Sequence, residues 1–452
     1  MLIFIGLVVS VVGSLGAPLV PTVARASQVS LASAQWSLTI TLLVGAVTTP
    51  ILGRLGDGPH RRTALLAAIG AVVAGCALAA LPLGFAALLT GRALQGVGLG
   101  LVPLAIAVAR DALPADRARS AIALLSVTTV AGIGLGYPLA GLVTEALGLA
   151  AAYWFGAAVA ALALVAGAVV LPAAPDRPSR PIDLGGATRL GLGITGLLLA
   201  LTQGPVWGWD WSLVLAVIAI VVLAWWARRE LRSTQPLIDL RLVRRPAVIT
   251  ADLTILCGGV GMYLLLSLVA RFVQTPSGVG YGFDSSVIVA GLVLVPFSVA
   301  SFVASRVASM VQRRIGAVRI LAAGFAIVAA AIGGFVLWHT VMWQILVVMA
   351  VAGFGVGTVF AANPMLIVGA VPAAETGSAM SFNQVLRNVG FSVGSALAGV
   401  ILAVNTPAGA TFPTIHGYRV AGLVAAAMCA ATLAVSIALP KKSDEPLVPL
   451  NS

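Results

Sequence analysis

Arg92 and Gln95 stand three residues apart in the stretch Leu88 to Gly100, Leu-Leu-Thr-Gly-Arg-Ala-Leu-Gln-Gly-Val-Gly-Leu-Gly, so one helical face carries both inside an apolar run. An arginine in hydrocarbon costs at least ~2.5 kcal/mol, so this one must meet a partner or a wet cavity; a tie to backbone carbonyls of adjacent helices meets the same demand. A second polar face lies at Asn383, Gln384, Arg387 and Asn388, where the i, i+4 pairs Asn383/Arg387 and Gln384/Asn388 interrupt an apolar segment. It reads either as a cavity lining or as an interhelical hydrogen-bond seam. Acids near apolar runs are few: Asp252, Glu145 and Asp57. Burial raises a carboxyl toward neutrality, which makes Asp252 first and Glu145 second as groups that could take up and release a proton. A capping or snorkelling role is the plain alternative for both.

These residues need helices that cross a membrane. Of 452 residues, 60% are apolar and 9% charged, against roughly 25% charged in soluble domains. Soluble enzymes, disulfide scaffolds, disordered chains and β-barrels are excluded, leaving an all-α membrane protein. Apolar runs fall at 2–23, 36–53, 64–82, 85–109, 121–143, 150–172, 187–204, 211–228, 248–273, 286–304, 318–337, 341–363, 380–404 and 419–439. Fourteen spans of about 20 residues would use about 280 residues, close to the apolar share. Met1 to Val12 carries no charge, where a signal peptide has a basic start, so the first run reads as a span in spite of Ala24-Arg25-Ala26.

The basic residues test this count. With both termini cytoplasmic, the inside loops and ends hold 21 of the 26, from Arg54 to Lys441 and Lys442. The outside holds Arg25, Arg271 and Arg419, while Arg92 and Arg387 fall within spans. Positive charge stays on the cytoplasmic side during insertion, which fixes the orientation and the even number. That distribution also accounts for the net charge of +12 without nucleic acid. A repeat at an offset of 252 residues aligns Arg54, Arg61 and Arg62 with Arg306, Arg313 and Arg314. Parallel repeats of this kind build secondary transporters. The expected organisation is a six-helix bundle at 1–175, two inserted helices with linkers at 176–246, a second six-helix bundle at 247–440 and a cytoplasmic tail at 441–452.

Gly53-Arg-Leu-Gly-Asp-Gly-Pro-His-Arg-Arg62 resembles the cytoplasmic loop signature of the major facilitator superfamily, Gly-x-Leu-(Ala/Gly)-Asp-Arg-x-Gly-Arg-Arg, with Gly58, Pro59 and His60 departing from it. Glycines let helix ends approach, and a carboxylate there accepts from arginines and from a neighbouring helix N-terminus. The resemblance implies an inner gate of Asp57, Arg61 and Arg62. Arg92 and Gln95 resemble the family's Arg-x-x-Gln-Gly motif, in which the arginine is linked to proton coupling. Gly132, Gly134, Gly136, Pro138 and Gly141 are similar to the antiporter motif of efflux members, which implies a packing seam and hinge. Tyr137 and Ala140 stand where that motif has proline and glycine.

Ile182-Asp-Leu-Gly185, Gln235-Pro-Leu-Ile-Asp-Leu-Arg-Leu242 and the segment from Ser381 to Asn388 resemble the fourteen-helix drug:proton antiporter branch. The resemblance implies the major facilitator fold and a proton-coupled exporter of small amphiphilic solutes in the inner cell membrane, working by alternating access as a monomer. Its partners are then the substrate, protons and the bilayer. The branch places an acid in the first span where this chain has Val12. With two buried arginines and few acids, the cavity is expected to favour neutral or anionic amphiphiles.

An importer of the same fold and a non-transporting membrane sensor or scaffold are the alternatives. No nucleotide, metal or nucleophile motif is present in the sequence, and Cys76, Cys257 and Cys429 stand alone in apolar runs, so no cofactor, ATP, nucleic acid or enzymatic activity is expected. His60, His339 and His416 read as solvated loop residues. Trp36, Trp207, Trp209 and Trp211 read as an interfacial belt.

Overall fold

The computed structural model describes residues 2–15, 19–29, 31–171, 183–233, 236–407, 410 and 412–438. The tail with Lys441 and Lys442, together with Arg177 and Arg180, lies outside the described residues. No strand occurs among the described residues. The α-helices are α1 (Leu2–Ser14), α2 (Val20–Ala26), α3 (Leu31–Gly56), α4 (Arg61–Ala80), α5 (Phe85–Gly96) and α6 (Leu101–Ala112). Then come α7 (Ala115–Leu147), α8 (Leu149–Val170), α9 (Leu184–Trp207), α10 (Trp209–Glu230), α11 (Leu240–Val243) and α12 (Pro246–Gln274). The last are α13 (Val287–Leu292), α14 (Leu294–Ile315), α15 (Ala317–Leu337), α16 (Met342–Ala370), α17 (Thr376–Val404) and α18 (Ile415–Ala438).

Among the described residues, eleven helical stretches are long and apolar enough to cross a membrane. The other three expected runs fall on α1 with α2, on α7 and on α9, whose described apolar stretches are shorter. Helices also run past the expected boundaries. Arg117 and Arg119, expected in a loop, lie on the first turns of α7, which Pro114 precedes and Asp116 supports with its charge. The same helix continues unbroken through Pro138.

The chain divides into two compact units, Met1–Val243 with Val371–Val385, and Arg244–Ala370 with Leu386–Ser452. In the first unit Gly208, at a φ of 93° that only glycine adopts without strain, turns α9 into α10. Leu190, Ile194 and Leu198 of α9 bury against Trp226 of α10, Ala46 of α3, Leu237, Ile238 and Val385. In the second unit Phe272 is fully buried at the centre of a ring of Tyr281, Phe283, Phe335, His339 and Tyr418, with centroids 5.2–5.9 Å away. His339, expected in solvent, is half-buried here with Nδ1 3.0 Å from the Phe335 carbonyl. Burial moves its pKa down from the ordinary histidine value.

Also in that unit, α14 and α16 touch backbone to backbone. A Cβ on Gly353 would stand 2.1 Å from the Phe297 carbonyl oxygen, and one on Gly357 2.2 Å from that of Ser301. A Cβ on Gly333 of α15 would meet nothing within 4 Å. Gly357→Ala is therefore expected to lower stability by about 1–3 kcal/mol through overpacking, whereas Gly333→Ala leaves it level or raises it by up to about 1 kcal/mol through helix propensity. Unfolding of the purified chain in detergent reads both, and equal effects would refute the packing account.

Candidate functional site

The loop between α3 and α4 carries a clasp built from charge. The Asp57 carboxylate is buried and accepts from the backbone N–H groups of Gly377 (2.6 Å) and Ser378 (2.9 Å) and from the Ser378 hydroxyl (2.7 Å). These donors form the first turn of α17, where unsatisfied N–H groups and the helix dipole favour an anion. Beside it Arg54 pairs with Glu375 at 2.9 Å, both well shielded. Arg110 donates to the Val371 carbonyl at 3.0 Å and to the Thr376 hydroxyl.

The approach is close because two glycines face each other. A Cβ on Gly53 would lie 1.8 Å from Ser381 Oγ, and one on Gly377 would lie 2.4 Å from the Gly53 carbonyl oxygen. Together these contacts explain why Val371–Val385 groups with the first unit although α17 continues into the second.

Of the gate residues expected from sequence, only Asp57 reaches this clasp in the bonds described. Arg61 instead ties α4 to the end of α6 through Asp111 at 2.6 Å, and Arg62 donates to the Ala168 carbonyl at 2.6 Å on α8. Arg54 stood in the loop signature and the repeat but was not assigned to the gate, and Arg110, Glu375, Thr376 and Ser378 were not singled out by sequence. Their one signal was Pro372 and Glu375 ahead of an apolar run, a helix-start pattern.

Burial drives the Asp57 carboxyl up to about 7, against the three donors that lower it, and neighbouring Glu375 adds to the rise.

Within the same unit Arg92 is buried at 1% exposure. Its Nε donates to the Ser37 carbonyl at 3.1 Å and its Nη1 to Gln95 Oε1, while Thr41 donates to the Arg92 carbonyl at 3.0 Å. The guanidinium is thus held both by a carbonyl of α3 and by its own helix face. Gln95 Nε2 and the Tyr153 hydroxyl are buried with no hydrogen-bond partner among the described residues. Tyr153 of α8 and Cys76 of α4 lie within electrostatic reach of Arg92. Tyr153 was not anticipated, since an aromatic in an apolar run reads as core.

Gly136 and Pro138 are buried on α7, and a Cβ on Gly141 would meet nothing within 4 Å, so packing does not require glycine there. Gly132 and Gly134 lie on α7 with surroundings outside the described residues, as do those of Val12 on α1. Glu145 is exposed near the end of α7.

In the second unit Asp252 is buried in the second turn of α12 at 4% exposure. Next to it Asn363 of α16 donates to the Ala251 carbonyl at 2.7 Å. The Arg387 guanidinium lies over the Phe360 ring, 5.0 Å from its centroid. Asn388 is half-buried. Asn383 and Gln384 are buried on the part of α17 that belongs to the first unit, so the expected polar face is divided between the two.

The family model of the Major Facilitator Superfamily matches residues 2–395 and 253–451. A tetracenomycin C resistance and export protein of Streptomyces glaucescens is 29% identical over 395 residues, covering 85% of this chain and 71% of that protein. The multidrug resistance protein Stp of Mycobacterium tuberculosis is 26% identical over 388 residues, with the same two coverages. The fold is similar to that of the human organic anion transporter MFSD10, with a TM-score of 0.64 at 17% identity over 96% of this chain and 98% of that one.

The clasp has a definite pH response. An acid held above its free value takes up a proton on burial, so the clasped form has its full advantage below 3.8, loses it as pH rises to about 7 and is level above that. The check is maleimide labelling of Ser381→Cys, with the three native cysteines replaced by alanine and rates normalised to exposed His60→Cys. Labelling should rise from about pH 5 to about 8, and Asp57→Ala should label at least ~10-fold faster than the parent at about pH 5. A normalised rate flat with pH would remove Asp57 as the titrating group.

Proposed function

The chain belongs to the Major Facilitator Superfamily, and on that premise we propose that it exports small amphiphilic solutes from the cytoplasm in exchange for protons, by alternating access. It is a multi-pass membrane transporter and not an enzyme; direction, coupling and mechanism are our reading. The observation that carries this reading is the buried Asp57 carboxylate on the α17 N-terminus, a contact between residues 321 apart. A carrier needs a contact that holds in one state and opens in another, and a titratable acid at a helix end has that property. The relatives named for tetracenomycin C export and multidrug resistance support export over import.

In this reading Asp57, with Arg54, Glu375 and Arg110, forms the inner gate. Arg61 and Arg62 brace α4 beside it, Arg92 and Gln95 belong to the coupling region, and Asp252 is the first choice for the proton-carrying acid, with Glu145 second. Gly132, Gly136, Pro138 and Gly141 form the seam and hinge of α7, while Asn383, Gln384, Arg387 and Asn388 contact substrate. The organisation is fourteen spans, with bundles at 1–175 and 247–440 around an inserted pair at 176–246. The protein sits in the inner cell membrane with both termini cytoplasmic and works as a monomer without ATP.

Val12, where the efflux branch has an acid, favours a second reading, a sensor that has lost transport. Purified protein in liposomes separates the two. With the interior acidified, tetracenomycin C and a neutral or anionic amphiphilic dye should accumulate inside, and collapse of the gradient should stop it. Arg92→Ala and Asp252→Asn should each cut the gradient-driven part at least ~10-fold. Uptake indifferent to the gradient and to both substitutions would refute the coupling, and no flux under any driving force would select the sensor.

A further inference from the structure

The inserted pair α9 and α10 carries an acid-rich corner that the transport reading leaves unused. Asp183 caps α9, accepting from the Gly186 N–H at 2.8 Å. Glu230, the last residue of α10, is 2% exposed. Its Oε2 accepts from the Leu237 N–H at 3.0 Å. Its Oε1 is buried with no hydrogen-bond partner among the described residues. The two carboxyls meet across a bare backbone: a Cβ on Gly186 would stand 2.8 Å from both Glu230 Oε1 and Asp183 Oδ2. Any side chain at 186 would push between them.

The charged neighbours are unevenly shared between the two carboxyls. Asp183 has the α9 N-terminus, Arg229 with Nε at 3.8 Å, and Arg189, whose Nη1 lies across Gly185 from it. Arg189 also stacks over Trp225, and Arg241 donates to the Leu231 carbonyl at 3.1 Å. The Trp226 indole N–H lies beside the Glu230 carboxyl without closing a bond to it. Among the apolar side chains packed here from α3 and α17 are Ala46, Phe382 and Val385. A charge on Glu230 would add a second carboxylate beside Gly186, within electrostatic reach of Asp183 and with one oxygen unsolvated. A proton on Glu230 Oε1 removes both penalties.

We propose that Glu230, beside Asp183, forms a proton-binding site and, while it holds its proton, keeps the strap Leu237 to Leu240 seated on the first unit. Leu237 and Ile238 are each 1% exposed, inserted beside Trp226 and Val385. The Leu237 N–H bond to Glu230 fastens the strap directly to the carboxyl that titrates. Loss of the proton leaves two facing carboxylates, and the strap lifts away to let water reach them. The same segment then links the inserted pair to Val371–Val385, so the site reports proton concentration to the helix that Asp57 clasps.

The test uses the full chain in liposomes and does not involve transport, so it stands apart from the export reading. Amide hydrogen exchange of the 236–240 peptide, corrected for the intrinsic pH effect, should lose protection at least ~10-fold between about pH 5.5 and about 8.5. A protonated-carboxyl infrared band should disappear over the same range. Glu230→Gln keeps an acceptor for Leu237 and cannot ionise, so it should hold the strap protected throughout and lack the band. Asp183→Asn keeps the α9 cap but removes the second carboxyl, so it should move the midpoint. Protection flat with pH in the parent, a Glu230→Gln chain that titrates like the parent, or a midpoint unmoved by Asp183→Asn would each overturn the proposal. If Glu230→Gln does not fold, the parent's infrared titration and Asp183→Asn decide between the same outcomes.

Discussion

A charge placed inside a water-free bundle must be met by an opposite charge or by oriented backbone, and the first unit is arranged around meeting that demand. Asp57 takes three donors at one helix end, Arg54 takes Glu375, Arg61 takes Asp111, and Arg92 takes the Ser37 carbonyl with Gln95. Each of these joins two helices, so the charges that cost most to insert are also the ones that tie elements distant in sequence. Removing one partner leaves the other as an uncompensated buried charge, which costs far more than the pair is worth. That asymmetry makes such contacts effective switches, since they hold fully or not at all.

Glycine sets how near the charged groups come. Gly53 and Gly377 let the α3 and α17 backbones touch, and that touch alone brings Asp57 within 2.6 Å of a helix N–H. Gly186 does the same for Asp183 and Glu230. In both places the missing side chain is what allows the polar contact, so the glycines belong to the electrostatics as much as to the packing.

Hydrophobic run length made the helices legible, because lipid forces each spanning segment to be both long and apolar. Asp57 was legible too, through the resemblance of its loop to a family signature. Its partners were not, since contact across 321 residues leaves no periodicity in either segment. Arg61 and Arg62 share that loop's pattern, yet Asp111 and the Ala168 carbonyl lie nearer to them than the clasp, so position in a motif did not fix direction. Glu230 follows Arg228 and Arg229 at a helix end and so reads as a solvated charge. Only the return of Leu237 and Ile238 over it creates the burial, and a linker's path is not written in hydropathy.

Arg92 and Asp57 also differ in what they can contribute to a cycle. A guanidinium stays charged throughout the accessible pH range, so Arg92 can act only by biasing its neighbours. The neighbours described around it are a carbonyl, an amide, a phenol and a thiol. None of these is a carboxyl, and the first-span position where the efflux branch has one is Val12. In the proposed cycle proton exchange is assigned to the acids Asp252 and Glu145. Asp252, the first choice for that carrier in the proposed cycle, is buried on α12. Asp57 sits at a contact whose strength depends on its own ionisation, which suits it to sensing pH.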